Sequence, residues 1–168
     1  MPFPNERIQS RQKLKIILEQ AKSEGEKIVF TNGCFDIIHL GHVRLLEKAK
    51  SFGDLMVVGL NSDSSIARLK GEGRPVVPEA ERAEILSAFS CVDFVTSFEE
   101  ETPQNIIQEL VPDILVKGAD WPVSQIVGRQ IVELNGGEVI SIDFEEGFST
   151  SGIIRSIKNA SAEELSKD

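Results

Sequence analysis

Cysteine is scarce in this chain. Cys34 and Cys91 are its two thiols, and their separation fits neither a metal knuckle nor a redox pair, so no disulfide framework organises the fold. At 168 residues none is needed, because a domain of this length buries enough surface to hold itself together. Long apolar runs are also missing. No stretch reaches the roughly 18 residues of a membrane span, and Met1–Arg11 carries charges without an apolar core, unlike a secretory signal. The expectation is a reducing, cytoplasmic setting away from membranes. Cations are outnumbered, with 18 Lys and Arg against 27 Asp and Glu and a net charge of −9. Such a balance argues against a nucleic-acid partner, which selects a basic face. A small anion stays compatible, since a few converging cations and backbone N–H groups suffice to bind it. Histidine is equally scarce: His39 and His42 are the only two.

What is present is an alternation of short apolar runs with amphipathic segments. Leu14, Ile17, Leu18 and Ala21 repeat at helical spacing within Arg7–Glu24. Strands are expected at Lys27–Thr31, Asp54–Asn61, Asp93–Thr96, Asp113–Val116 and Glu138–Ile142. Between them the pattern predicts helices over Leu40–Phe52, Pro78–Phe89, Thr102–Leu110 and Ser124–Leu134, and a last helix over Ser149–Ala160. The strands are continuous apolar runs, as expected when both faces are covered. The fold class that follows is α/β: a doubly wound, Rossmann-like, mostly parallel five-stranded sheet with helices on both faces. Ligands of such sheets bind beyond the carboxyl ends of the strands.

The residues at those ends carry the chemistry. The first strand runs into Asn32-Gly-Cys-Phe-Asp-Ile-Ile-His-Leu-Gly-His42, which is neither a dinucleotide fingerprint nor a Walker A loop. His39 and His42 stand three apart at a helix start and share a face. Gly33 permits a tight turn or a close approach, and Gly41 leaves the surface between the histidines open. Two imidazoles beside a helix N-terminus suit an oligophosphate. A zinc site would need Cys34 or Asp36 as a third ligand. Asn61 and Asp63 either cap a following helix or face a base or ribose. Arg68–Pro75 is a glycine-containing loop with three cations, either solvated or a phosphate clamp. Arg82 lies in the first turn of its helix, where the dipole disfavours a cation, so an anionic partner is expected: a ligand, Glu79 or a nearby carboxylate. Lys117 leaves the fourth strand as a candidate for phosphate, with an ion pair to Asp120 as the competing account. Ser149-Thr-Ser151 opens the last helix, as a cap or as a phosphate site.

GCFDIIHLGH resembles the GxFDxxHxGH signature of the cytidylyltransferase-like nucleotidyltransferases. Together with NSD (61–63), RLKGEGRPVVPEAER (68–82), FEEETP (98–103), LVKGAD (115–120) and GGEVISIDFEEGFSTSGII (136–154), it resembles one branch closely. That branch is the D-glycero-β-D-manno-heptose 1-phosphate adenylyltransferases, often the C-terminal half of a bifunctional heptose kinase/adenylyltransferase. The likeness covers about residues 25–158.

The resemblance implies transfer of AMP from ATP to heptose 1-phosphate, giving ADP-heptose and pyrophosphate for the inner core of lipopolysaccharide, with Mg²⁺ carried on the triphosphate rather than held by the protein. It implies His39, His42 and Lys70 as catalytic. It places Thr31, Asn32, Gly33, Cys34, Phe35, Gly41, Asn61, Asp63, Lys117, Gly118, Asp120, Ser149, Thr150 and Ser151, with the histidines, around the nucleotide. Asp36, Lys70, Arg74 and Arg82 fall to the acceptor. Cys34 stands where relatives often carry Thr. Phe144 occupies the position of an Arg in glycerol-phosphate cytidylyltransferases, which argues against that activity. A separate sugar kinase is expected upstream. Glycerol 3-phosphate with CTP, FMN with ATP, and a nucleotide-binding module without turnover are the alternatives. Residues 1–24 are expected to form an N-terminal helix, 25–160 the nucleotidyltransferase domain and 161–168 a polar tail; a homodimer is left open.

Overall fold

The computed structural model describes residues 4–118, 122–143 and 149–165. Within them, β1 (Ile28–Gly33), β2 (Leu55–Asn61), β3 (Phe94–Phe98), β4 (Ile114–Gly118) and β5 (Glu138–Ile142) form one sheet. The order is β3-β2-β1-β4-β5, and every described pairing is parallel. The chain therefore winds outward one way from β1 through β3, crosses back, and winds the other way through β5. That reversal puts the topological switch point between β1 and β4.

Side chains alternate across the sheet with period two and feed a core on each face. Val29, Met56, Val58, Val95 and Val116 pack with α3 (Leu40–Lys50) and α5 (Glu79–Ser87). Ile28, Phe30, Val57 and Leu115 pack with α2 (Arg11–Ser23), α6 (Gln104–Leu110) and α7 (Arg129–Leu134). Burying each large apolar side chain contributes ~1.5–3 kcal/mol. Both faces being covered is why the strands read as unbroken apolar runs.

The boundaries differ from expectation where a local device intervenes. The helix expected over Arg7–Glu24 is two: α1 (Pro4–Arg7) and α2, separated because Ser10 caps α2 by accepting from the Lys13 N–H. In the gap, Ile8 bridges to Val95 and the Gln9 N–H donates to Val95 O at 2.9 Å, covering the β3 edge. The guanidinium of buried Arg7 donates to the carbonyls of Ser87, Phe89 and Val92 at 2.9–3.1 Å. The helix expected over Ser124–Leu134 is a 3₁₀ turn, Val123–Gln125, followed by α7. Gly128 separates them with φ +89°, and a Cβ there would stand 2.5 Å from Ile107 Cδ1. Part of the expected 68–75 loop is the end of another helix, α4 (Asp63–Lys70). The last helix, α8 (Thr150–Leu165), runs past Ala160 into the expected tail. Asp120, Trp121, Phe144 and Gly147 lie outside the described residues.

Candidate active site

The β1–β4 ladder stops early, pairing Val29 and Phe30 with Ile114 and Leu115, whereas β1 and β2 stay in register from Ile28 to Gly33. Beyond Phe30, side chains join the two strands. Thr31 Oγ1 donates to Val116 O at 2.9 Å, and Lys117 Nζ donates to Asn32 O at 3.0 Å. A crevice thus opens at the switch point, and the loop leaving β1 forms its wall.

That loop is tightly constrained. Phe35 is buried at φ +45°, in the left-handed region, at a cost on the order of 1 kcal/mol. A Cβ on Gly33 would meet the Phe35 ring at 3.1 Å. The Phe35 ring lies 5.1 Å from that of His42. His39 is the N-cap residue of α3 and His42 stands in its first turn. Their rings stack at 3.8 Å, tilted by 28°. The His39 N–H donates to His42 Nδ1 at 3.3 Å, so neutral His42 carries its proton on Nε2 and presents a donor there. Burial, reinforced by the charge of His39, pushes the His42 imidazole down to about 4, and burial lowers His39 as well. Both rings are therefore uncharged donors at neutral pH. With His42 Nδ1 engaged by backbone, the pair is not arranged as an HxxH zinc chelate. Gly41, buried between the histidines, borders a cavity of about 550 Å³ lined also by Arg44, Lys48, Ile142 and Asp143.

The start of α8 sits over the same loop. Thr150 Oγ1 donates to Ile37 O at 3.3 Å, and Ser149 Oγ accepts from the Gly152 N–H at 3.0 Å. Ser151 is exposed in the first turn. Ser149 thus caps the helix, while its start faces the β1 loop from above.

A cationic group surrounds the other flank. Burial pushes the Cys34 thiol up, the charges of Lys70, Arg82 and Arg74 draw it down, and Asp36 opposes them. These five residues therefore share one neighbourhood. Asp36, with 1% of its side chain exposed, accepts from Arg74 Nε at 2.6 Å and from the Val76 and Val77 N–H groups at 2.7 and 2.9 Å. Lys70, at the end of α4, is exposed. Arg82 is fully buried. Its guanidinium donates to Val77 O, Cys34 O, Asn61 O and Asp63 Oδ1 at 2.6–2.9 Å. The anion expected for Arg82 is thus Asp63, and Asp36 holds the loop that follows α4.

The family model for cytidylyltransferase-like proteins matches residues 30–156. The chain belongs to the cytidylyltransferase-like family. It is 49% identical over 97% of its length to the bifunctional protein HldE of Geotalea uraniireducens and 55% identical over 91% to that of Campylobacter jejuni. It spans about a third of those relatives, 33% and 32% of their lengths. Among solved structures, a lipopolysaccharide core biosynthesis protein from Thermoplasma volcanium is similar at 29% identity and TM-score 0.58, over 72% of this chain and 98% of that one. A pantoate-beta-alanine ligase from Francisella tularensis, 16% identical, shares the fold at TM-score 0.58 over 83% and 67% of the two chains.

Within this family member, some motif residues do not face the crevice with their side chains. The Asn61 side chain donates to Ser65 Oγ at 3.0 Å, and Ser62, rather than Asn61 or Asp63, caps α4 by accepting from the Ser65 N–H. Arg68 turns outward to the carbonyl of Glu99. Gly118 closes β4, buried. Sequence reasoning named Phe35 but not its left-handed backbone, which carries no glycine-like signal. Asn32, which the resemblance places around the nucleotide, has a carboxamide Oδ1 that is buried and accepts no hydrogen bond among the described residues.

Proposed function

We propose that the chain transfers AMP from ATP to D-glycero-β-D-manno-heptose 1-phosphate, releasing pyrophosphate and forming ADP-heptose. The observation that carries this reading is the stacked, uncharged His39–His42 pair at the start of α3, beneath the start of α8. Two neutral N–H donors and two helix beginnings suit a triphosphate whose charge shifts as the leaving group departs. The identity with the HldE relatives supports the acceptor.

An acceptor phosphate oxygen is already ionised at neutral pH, so the reaction needs no strong base. It attacks the α-phosphorus, one P–O bond forms, the bond to the β-phosphate oxygen breaks, and pyrophosphate leaves in line. The protein's task is positioning and electrostatic stabilisation. His42, through Nε2–H, and His39 would donate to the phosphates. Lys70 and Arg74, which the resemblance implies for the acceptor, share the neighbourhood of Cys34 and would instead neutralise the departing pyrophosphate. Mg²⁺ arriving on the nucleotide would neutralise phosphate charge there. Among the described residues no helix is long and apolar enough to cross a membrane, and charged nucleotide and sugar-phosphate substrates suit the cytoplasm. A sugar kinase, fused or separate, would supply the anomeric phosphate.

The test is a matrix of acceptors and nucleotides followed by pyrophosphate release. ATP with the heptose 1-phosphate should exceed every other pair. Preference for CTP, or for glycerol 3-phosphate or FMN as acceptor, would reject the assignment, and saturable ATP binding without turnover on any acceptor would reject enzymatic activity.

A further inference from the structure

The two faces of the sheet divide the crevice. His39 and His42 open α3, which packs on the face of Val29, Val58 and Val116. Asn32 follows Phe30 by two residues, and alternation along β1 places both on the opposite face, that of α2, α6 and α7. The packing agrees: a Cβ on Gly59 would meet Phe30 Cζ at 2.6 Å and Asn32 Cβ at 3.2 Å. By the same alternation Lys117 shares the face of Leu115, and its Nζ reaches Asn32 O at 3.0 Å. Asn32 and Lys117 therefore stand together on the far side of the β1–β4 crest from the histidines. The Asn32 Oδ1 there is buried and takes no donor from the described residues, so a ligand hydroxyl reaching it would satisfy it.

We infer that Asn32 is the specificity-determining residue for the acceptor, its Oδ1 accepting a hydrogen bond from a hydroxyl of a polyhydroxylated sugar phosphate. The inference rests on the adenylyl-transfer reading above. In-line displacement puts the nucleophile and the leaving pyrophosphate on opposite sides of the α-phosphorus. The pyrophosphate belongs with the imidazoles, the α8 start and the Lys70–Arg74 flank, all beside the α3 and α5 face. The acceptor must then approach over the crest from the α6 and α7 face, where Asn32 waits and Lys117 meets its phosphate. A buried oxygen with no donor selects for a group that brings one and against an analogue that lacks it.

The experiment is steady-state kinetics of the wild type and Asn32→Leu with the heptose 1-phosphate and its monodeoxy analogues. Asn32→Leu is expected to lower kcat/KM for the acceptor about tenfold while leaving the KM for ATP unchanged. One deoxy analogue should lose about the same factor with the wild type and nothing further with Asn32→Leu. Asn32→Ala serves as the second variant, and ATP affinity by calorimetry confirms that each variant folds. A raised KM for ATP with an unchanged acceptor term would reassign Asn32 to the base and overturn the inference alone. Additive effects of variant and every deoxy analogue would also overturn it. If the wild type neither binds nor turns over any sugar phosphate, the functional reading fails and the inference with it.

Discussion

Arg82 and Asp63 meet at 2.7 Å across a guanidinium with no solvent exposure and a carboxylate whose side chain is 48% exposed. The asymmetry assigns the roles. Arg82 also gathers the carbonyls of Val77, Cys34 and Asn61, tying the β1 loop, the end of β2 and the start of α5 to one planar fork. Arg82→Ala leaves those acceptors without a donor and should cost ~3 kcal/mol or more of stability. Arg82→Lys should recover little, because an ammonium cannot span four acceptors in a plane. Asp63→Asn, at the exposed end, should cost less than ~1 kcal/mol. Urea unfolding with all three variants checks the order. A stable but inactive Arg82→Ala would instead make Arg82 a substrate-binding cation.

Asp36 holds the segment between α4 and α5 as Arg82 holds the loop beside it. Its buried carboxylate accepts from Arg74 Nε and two consecutive backbone N–H groups. Asp36→Ala should destabilise by ~2–4 kcal/mol and make residues 71–77 the first point of cleavage in limited proteolysis. Unchanged cleavage kinetics at that segment would show that other contacts hold it.

The alternation of strands and helices was readable because both faces of the sheet are covered and the strands are nearly pure apolar runs. Helix α4 was harder to see: of DSSIARLK, Ser65 and Ile66 are the buried residues, too few for a periodic signal in eight positions. The break after Arg7 depended on the Ser10 cap and on pairing with Val95, a partner some ninety residues away that no local pattern reveals. His39 and His42 stood out as the chain's two imidazoles, three apart. The electrostatic cost of Arg82 at a helix start signalled an anion, but Asp63 was invisible as its partner because only the tertiary fold brings the two together. The unpartnered Asn32 oxygen likewise shows only in the tertiary fold.

The stretch from Arg7 to Gln9 shields the β3 edge. Arg7→Ala removes donors from the carbonyls of Ser87, Phe89 and Val92, and deletion of residues 1–9 also removes the bridge between Ile8 and Val95. An uncovered edge strand templates pairing with another chain. The deletion should therefore lower the melting temperature and produce concentration-dependent aggregation visible by light scattering, more than Arg7→Ala does. A deletion variant as stable and monodisperse as the parent would show that the β3 edge needs no cover.

The proposed mechanism requires His42 uncharged, with the proton on Nε2. Because His42 Nδ1 accepts the His39 N–H and burial lowers the pKa to about 4, the ring should stay neutral throughout the physiological range. The two histidines give two resolvable imidazole signals by NMR, and the His42 signal should titrate far below 6.5, its ordinary value. The sign for stability follows: the unfolded chain binds this proton more readily, so the contribution of neutral His42 is complete above 6.5 and is lost as pH falls through about 4. Activity limited by this group should therefore stay level through mildly acid pH and fall only towards 4. His42→Ala should lower turnover by about 10²–10³, the size of one lost transition-state donor, without a comparable change in ATP affinity. A His42 titrating near 6.5, or an alanine variant of normal turnover, would remove the imidazole from the phosphate-binding role and leave the α8 start and the cations to act alone.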